Sequence, residues 1–94
     1  TTNAASFRGL LDQEFDFICP PGGQAGIVWG TDVYTDDSSV CTAAVHAGLI
    51  DLASGGNVRI VMLAGRDSYE PSTSNGITSL TWGNWGSSFS FVTP

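Results

Sequence analysis

Ninety-four residues make one domain with a single modest core, and 41% hydrophobic with 11% aromatic content excludes a disordered tail. There is no lysine, and Arg8, Arg59 and Arg66 face nine carboxylates, a net charge of -6. That balance excludes nucleic-acid binding by phosphate neutralisation and disfavours anionic membranes, while suiting neutral ligands, cationic partners or a bridging divalent cation.

Residues 1–14 are mixed and mildly acidic, and they read as a leader or linker ending in a first strand, with the domain proper at 15–94. The chain opens on Thr1 without methionine, as an excised or processed module would. In Phe15-Asp16-Phe17-Ile18-Cys19, the residues Phe15, Phe17 and Cys19 alternate onto one face, as in a half-buried strand. Pro20-Pro21-Gly22-Gly23 then forces a turn. Gly26 to Gly30 is predicted to be a short apolar strand.

The one helix follows. Asp36, Asp37, Ser38 and Ser39 crowd its start with oxygens able to cap free N–H groups, and Val40, Ala44, Val45 and Leu49 recur at helical spacing. Gly48 suits a left-handed terminator, giving a helix of about ten residues, buried on several sides. Beyond Gly55-Gly56 the period becomes two: Val58, Ile60 and Met62 point one way, Arg59, Val61 and Leu63 the other, as in a central strand. A polar loop spans Gly65 to Gly76, and two further strands are predicted near Ile77–Trp82 and Ser88–Val92. The order β, β, α, β, β, β is an α+β arrangement, a twisted sheet system wrapped around one central helix.

Cys19 and Cys41 lie 22 positions apart. Bridged, they would contribute about 3 kcal/mol by loop closure; two free buried thiols are the alternative. No run reaches the roughly 20 apolar residues of a membrane span.

Val28-Trp29-Gly30-Thr31-Asp32-Val33-Tyr34-Thr35-Asp36-Asp37-Ser38-Ser39-Val40-Cys41, continuing through Ala43, Ala44, His46 and Gly48, resembles the signature of the LCCL domain family. The stretches from Gly56 to Ile60, from Gly65 to Tyr69 and from Asn75 to Ser79, with Trp82-Gly83-Asn84-Trp85 and Ser88 to Phe91, are similar to the family's later parts. Coverage runs from Phe17 to Val92. Trp29, Tyr34, Asp37, Ser39, His46 and Gly48 stand as its structural signature. The resemblance implies a central helix wrapped by β-structure, an extracellular or cell-surface setting, and a monomeric module within a multidomain secreted chain. It also implies no catalysis and no cofactor, with glycan, lipopolysaccharide or an extracellular protein as partner and no membrane insertion. Vertebrate members carry four cysteines; here Gln24 stands near the second cysteine of the turn and no upstream cysteine exists, so the family's pairing does not transfer intact. Cys41 matches the helix position, and in this chain only Cys19 can be its partner.

Chemical sites fare poorly. Cys41 and His46 lie five residues apart, so a helix sets them about 140° apart in azimuth, unable to meet on one face. Two cysteines and one histidine are too few for zinc. A Ser–His–Asp arrangement would need His46 from inside the helix, where a core histidine bonded to backbone or hydroxyl groups is the simpler expectation. Asp32, Asp36 and Asp37 lack the spacing of a calcium loop. Trp82 and Trp85, in a glycine-rich turn, are candidate sugar-stacking residues, with Tyr69, Arg66 and Arg59 as further ligand contacts. Trp29 is expected in the core, and the two arginines can instead pair with internal acids. The reading is a non-catalytic recognition module; the alternative is a structural or protein–protein module with no small ligand.

Overall fold

The computed structural model describes residues 2–92. A 3-10 turn (Ala5–Phe7) precedes β1 (Glu14–Cys19), β2 (Gly30–Thr31), β3 (Val33–Thr35), the helix α1 (Val40–His46), β4 (Gly56–Arg66), β5 (Thr73–Ser74), β6 (Ile77–Thr78) and β7 (Trp85–Phe91). Five strands form one antiparallel sheet in the order β1-β4-β7-β3-β2, and β5 and β6 form a separate hairpin. The fold is α+β, with one α-helix among the described residues, in agreement with the patterning.

The alternating rows place the core. Phe15 and Phe17 are half-buried and Cys19 is buried, while Glu14, Asp16 and Ile18 on the other face of β1 are exposed. On β4, Val58, Ile60 and Met62 are buried, with Ile60 opposite Phe15 and Met62 opposite Phe89. Val40, Ala43 and Ala44 of the helix complete this cluster with Val28, Tyr34 and Phe89. β4 lies between two strands as expected, yet only one of its rows is fully buried; Val61 and Leu63 are half-buried and Arg59 is exposed.

The helix is seven residues long rather than about ten, because its N-cap is Ser39, whose side chain accepts from the Thr42 N–H. Asp36 and Asp37 precede the cap and take no part in it. At the other end Gly48 adopts φ +84°. Its N–H donates to the Val45 carbonyl and that of Leu49 to the Ala44 carbonyl, a pair of bonds that closes the helix and leaves Leu49 outside it, exposed. Every helical residue except Cys41 is buried, since the sheet covers one side and the β5–β6 hairpin packs on another.

Several predicted segments differ. Residues 26–29 form no regular strand and bond mainly to the helix start: Gly26 N–H donates to Thr42 Oγ1, Trp29 N–H to Ser38 Oγ, and Ser39 N–H to the Ile27 carbonyl, with one further bond from Leu80 N–H to the Val28 carbonyl. The predicted strand at Ile77–Trp82 is regular only at Ile77–Thr78, after which Leu80 and Trp82 make isolated bridges to Trp29 and Tyr69. β7 begins three residues earlier than Ser88, and β4 extends one residue past Gly65. The segment expected as a leader packs on the body: Ala4 is 0% exposed, its N–H donates to the Asp36 carbonyl, and Phe7 stacks on Phe15 at 3.9 Å between centroids. Phe15 and Phe17 need that cover, because β1 is an edge strand with no neighbour to shield them.

Candidate functional site

Cys19 and Cys41 are joined, with Cα atoms 5.7 Å apart, tying the end of β1 to the first turn of the helix. The bridge consumes the only thiols, so neither sulfur is a nucleophile or a metal ligand.

His46 is 2% exposed and fully bonded. Its Nε2 faces the Ser72 carbonyl at 3.1 Å, a group that only accepts, so Nε2 carries the proton and Nδ1 accepts from the Tyr34 hydroxyl at 3.0 Å. Nε2 is also 3.0 Å from Ser72 Oγ. The Thr31 hydroxyl donates to the Glu70 carbonyl, so the short 2.6 Å contact between Ser72 and Thr31 has Ser72 as donor. Proton direction is thus set from Tyr34 through His46 and Ser72 to Thr31, with no vacancy for a substrate. Burial pushes the Tyr34 hydroxyl up to about 12. This is a seam holding β3, the helix and the loop before β5 together.

The two adjacent aspartates diverge. Asp36 is 0% exposed and takes two bonds from Arg8, at 2.6 and 2.9 Å, and one from Trp85 Nε1 at 2.9 Å. Burial alone would raise its carboxyl, but the bonds from Arg8 and Trp85 and the arginine's charge outweigh this and hold it below the ordinary range. The Arg8 guanidinium also lies 5.6 Å from the Trp85 ring centroid. Asp37 has no hydrogen bond or ion pair among the described residues, and its Oδ1 is buried without a partner.

Beside this pair Trp29, Trp82 and Trp85 line a cleft of about 240 Å³ with Thr35 and Asp37. Trp29 and Trp82 meet at 6.2 Å and 70°, Trp82 and Trp85 at 6.2 Å and 80°, so successive indoles turn a corner. Trp82 is 47% exposed; the other two are half-buried. Trp29, expected in the core, is therefore a wall of the cleft.

The remaining sequence candidates do not join it. Tyr69 is 2% exposed, its hydroxyl accepting from Arg66 N–H and donating to the Trp85 carbonyl, so it braces the tryptophan turn instead of offering a face to a ligand. Arg59 pairs with Asp16 at 2.7 Å on the exposed sheet face, with Glu14 3.8 Å away. Arg66 lies by a separate small recess with Tyr69 and Glu70. Residues missed as cleft members were Trp29, Thr35 and Asp37; spacing gives no hint that Trp29 and Trp82 meet. Among the described residues no group of three His, Cys, Asp or Glu side chains could hold a metal ion, and no helix is long and apolar enough to cross a membrane.

A family model described as the LCCL domain matches residues 1–89. Vitrin of Homo sapiens is 46% identical over 82 residues, covering 85% of this chain and 12% of that protein. Cochlin of Cavia porcellus is 43% identical over 86 residues, 87% of this chain and 16% of that protein. A third relative, "Cysteine-rich secretory protein LCCL domain-containing 2" of Homo sapiens, is 43% identical over 56 residues, 60% of this chain and 11% of that protein.

Proposed function

The chain belongs to the LCCL family, and from that premise we propose that it is a non-catalytic recognition module of a longer extracellular or cell-surface protein, holding a glycan in the Trp29–Trp82–Trp85 cleft. The observation that carries this reading is the cleft itself: Trp29 brought against Trp82 and Trp85 from more than fifty positions away, with one of the three indoles half open to water. Flat aromatic faces pack against the apolar C–H faces of sugar rings, and a nearby carboxylate can accept from hydroxyls. A module is consistent with relatives of which this chain spans 12% and 16%, and a disulfide suits an oxidising compartment. Catalysis finds little support: the cysteines are bridged and both ring nitrogens of His46 are engaged.

If lipopolysaccharide is the ligand, its sugars rather than its phosphates should make the contact, because a net charge of -6 opposes polyanions. Titration with neutral oligosaccharides and with heparin, at two salt concentrations and with and without calcium, tests this. Neutral sugar should quench tryptophan emission, and Trp82→Ala should abolish the response. Tight, salt-sensitive heparin binding would move the site to Arg59 and Arg66. A second reading, docking of another protein, draws on the recess beside the disulfide, where Ile18 is 80% exposed next to Ile50 and Leu52.

A further inference from the structure

A carboxylate oxygen buried without a partner costs free energy, and in a folded protein it calls for an explanation. Asp37 carries one, Oδ1, and the same residue lines the tryptophan cleft. The charged groups around that cleft are Asp36, Arg8 and Asp37. Arg8 closes a two-bond pair on Asp36, which leaves Asp37 as the charge the cleft presents. The indole rings add to the same sign of preference, since a cation within about 6 Å of a ring centroid is drawn to its negative face. Trp85 already shows this with Arg8 at 5.6 Å.

We infer that the cleft takes the protonated amine of an amino sugar, its ring against Trp82 and its ammonium beside Asp37. The inference rests on the glycan reading above and narrows it to a cationic class. A primary ammonium fits better than a quaternary one, because it brings N–H donors to a carboxylate that accepts none from the chain, and a trimethylated nitrogen brings none. The cleft, about 240 Å³, lies below the size of pockets for drug-like ligands and suits one ring, with the exposed edge of Trp82 leaving room for the glycan to continue. The overall charge of -6 would also gather a polycationic glycan at the surface.

The test is calorimetric titration of the parent domain, Asp37→Asn and Trp82→Ala with four probes: a glucosamine oligomer, its N-acetylated form, a glucose oligomer of the same linkage, and choline. Mildly acidic buffer keeps the amine charged. The glucosamine oligomer should bind about tenfold more tightly than the acetylated form, and Asp37→Asn should erase that preference. Binding should weaken with salt and as rising pH removes the ligand's proton. Melting curves serve as the folding control: Asp37→Asn should melt at or above the parent, since its side chain has no bond among the described residues, and Trp82→Ala only slightly below it, since Trp82 is 47% exposed. If the three sugars bind equally and Asp37→Asn changes nothing, the cationic inference is overturned while the glycan reading survives. Binding by no sugar at all overturns both. Choline matching the glucosamine oligomer would overturn the amino-sugar assignment, leaving a bare ammonium site.

Discussion

The seam around His46 and the cleft around Trp82 are both built from aromatic rings and polar side chains, and they differ in whether the polar groups are matched. In the seam each proton has a defined acceptor, from Tyr34 through His46 and Ser72 to Thr31 and the Glu70 carbonyl. In the cleft the indoles stand partly open and Asp37 is left unanswered. A saturated network has nothing to offer a ligand and rigidifies the fold; an unsaturated one holds chemistry in reserve. The distinction is energetic, so it predicts how each region responds to damage.

The largest effect should come from the seam. His46→Ala removes a buried ring, leaves the Tyr34 hydroxyl without its partner while the Ser72 carbonyl keeps its bonds from Ser79, and should cost about 4 kcal/mol. Trp82→Ala should cost about 1 kcal/mol or less, because that ring is 47% exposed. Denaturant melts of the two variants measure this directly, and equal losses would erase the distinction between seam and cleft. Next comes the Cys19–Cys41 bridge. Its replacement by two serines should cost about 3 kcal/mol through loop closure. The recess beside the bridge and the tryptophan cleft share no lining residue, so ligand-dependent tryptophan emission should persist below the new melting point.

The alternations that define the core were legible in the sequence. Phe15, Phe17 and Cys19 on one strand and Val58, Ile60 and Met62 on another need only local periodicity. The helix was legible through Val40, Ala44 and the Gly48 stop, though not its true start, because Asp36 and Asp37 are as good capping residues by type as Ser39. The rest depended on partners far along the chain. Arg8 reaches Asp36 across 28 positions and Trp85 reaches it across 49, so the leader-like composition of residues 1–14 concealed an anchored segment. The LCCL signature itself marked Trp29 and Asp37 without saying that they flank one cleft. Bridges of a single residue pair, such as Trp29 with Leu80, leave no periodic trace.

A smaller, pH-dependent effect separates the seam further. Tyr34 ionises only at about 12, and burial raises Tyr69 as well. A folded value above the unfolded one means that the stabilisation is complete below the ordinary tyrosine pKa of about 10 and is lost as pH rises from there through the folded value. Ultraviolet titration should show no tyrosine ionising normally in the folded domain; a normal titration of either would mean the network is open. Asp36 works in the opposite direction. Its depressed carboxyl contributes stability above the unfolded pKa of about 4, lost as pH falls through its folded value.

The smallest change is the most discriminating. Asp37→Asn keeps the shape of the side chain and removes its charge. A capping or dipole role at the helix start would make this substitution cost stability, up to about 1 kcal/mol. The geometry says otherwise: Ser39 holds the cap, and among the described residues Asp37 contributes no bond and keeps one oxygen buried and unpartnered. Relieving that charge should leave the melting temperature unchanged or raise it, by an amount worth no more than about 0.5 kcal/mol. Asp36→Asn, one residue away, removes a charge that Arg8 and Trp85 both engage and should lower it. The pair of melts therefore tests side by side whether two neighbouring carboxylates of the same signature serve different ends. A loss at Asp37 as large as that at Asp36 would make it another structural residue and remove the reason for assigning its charge to a ligand.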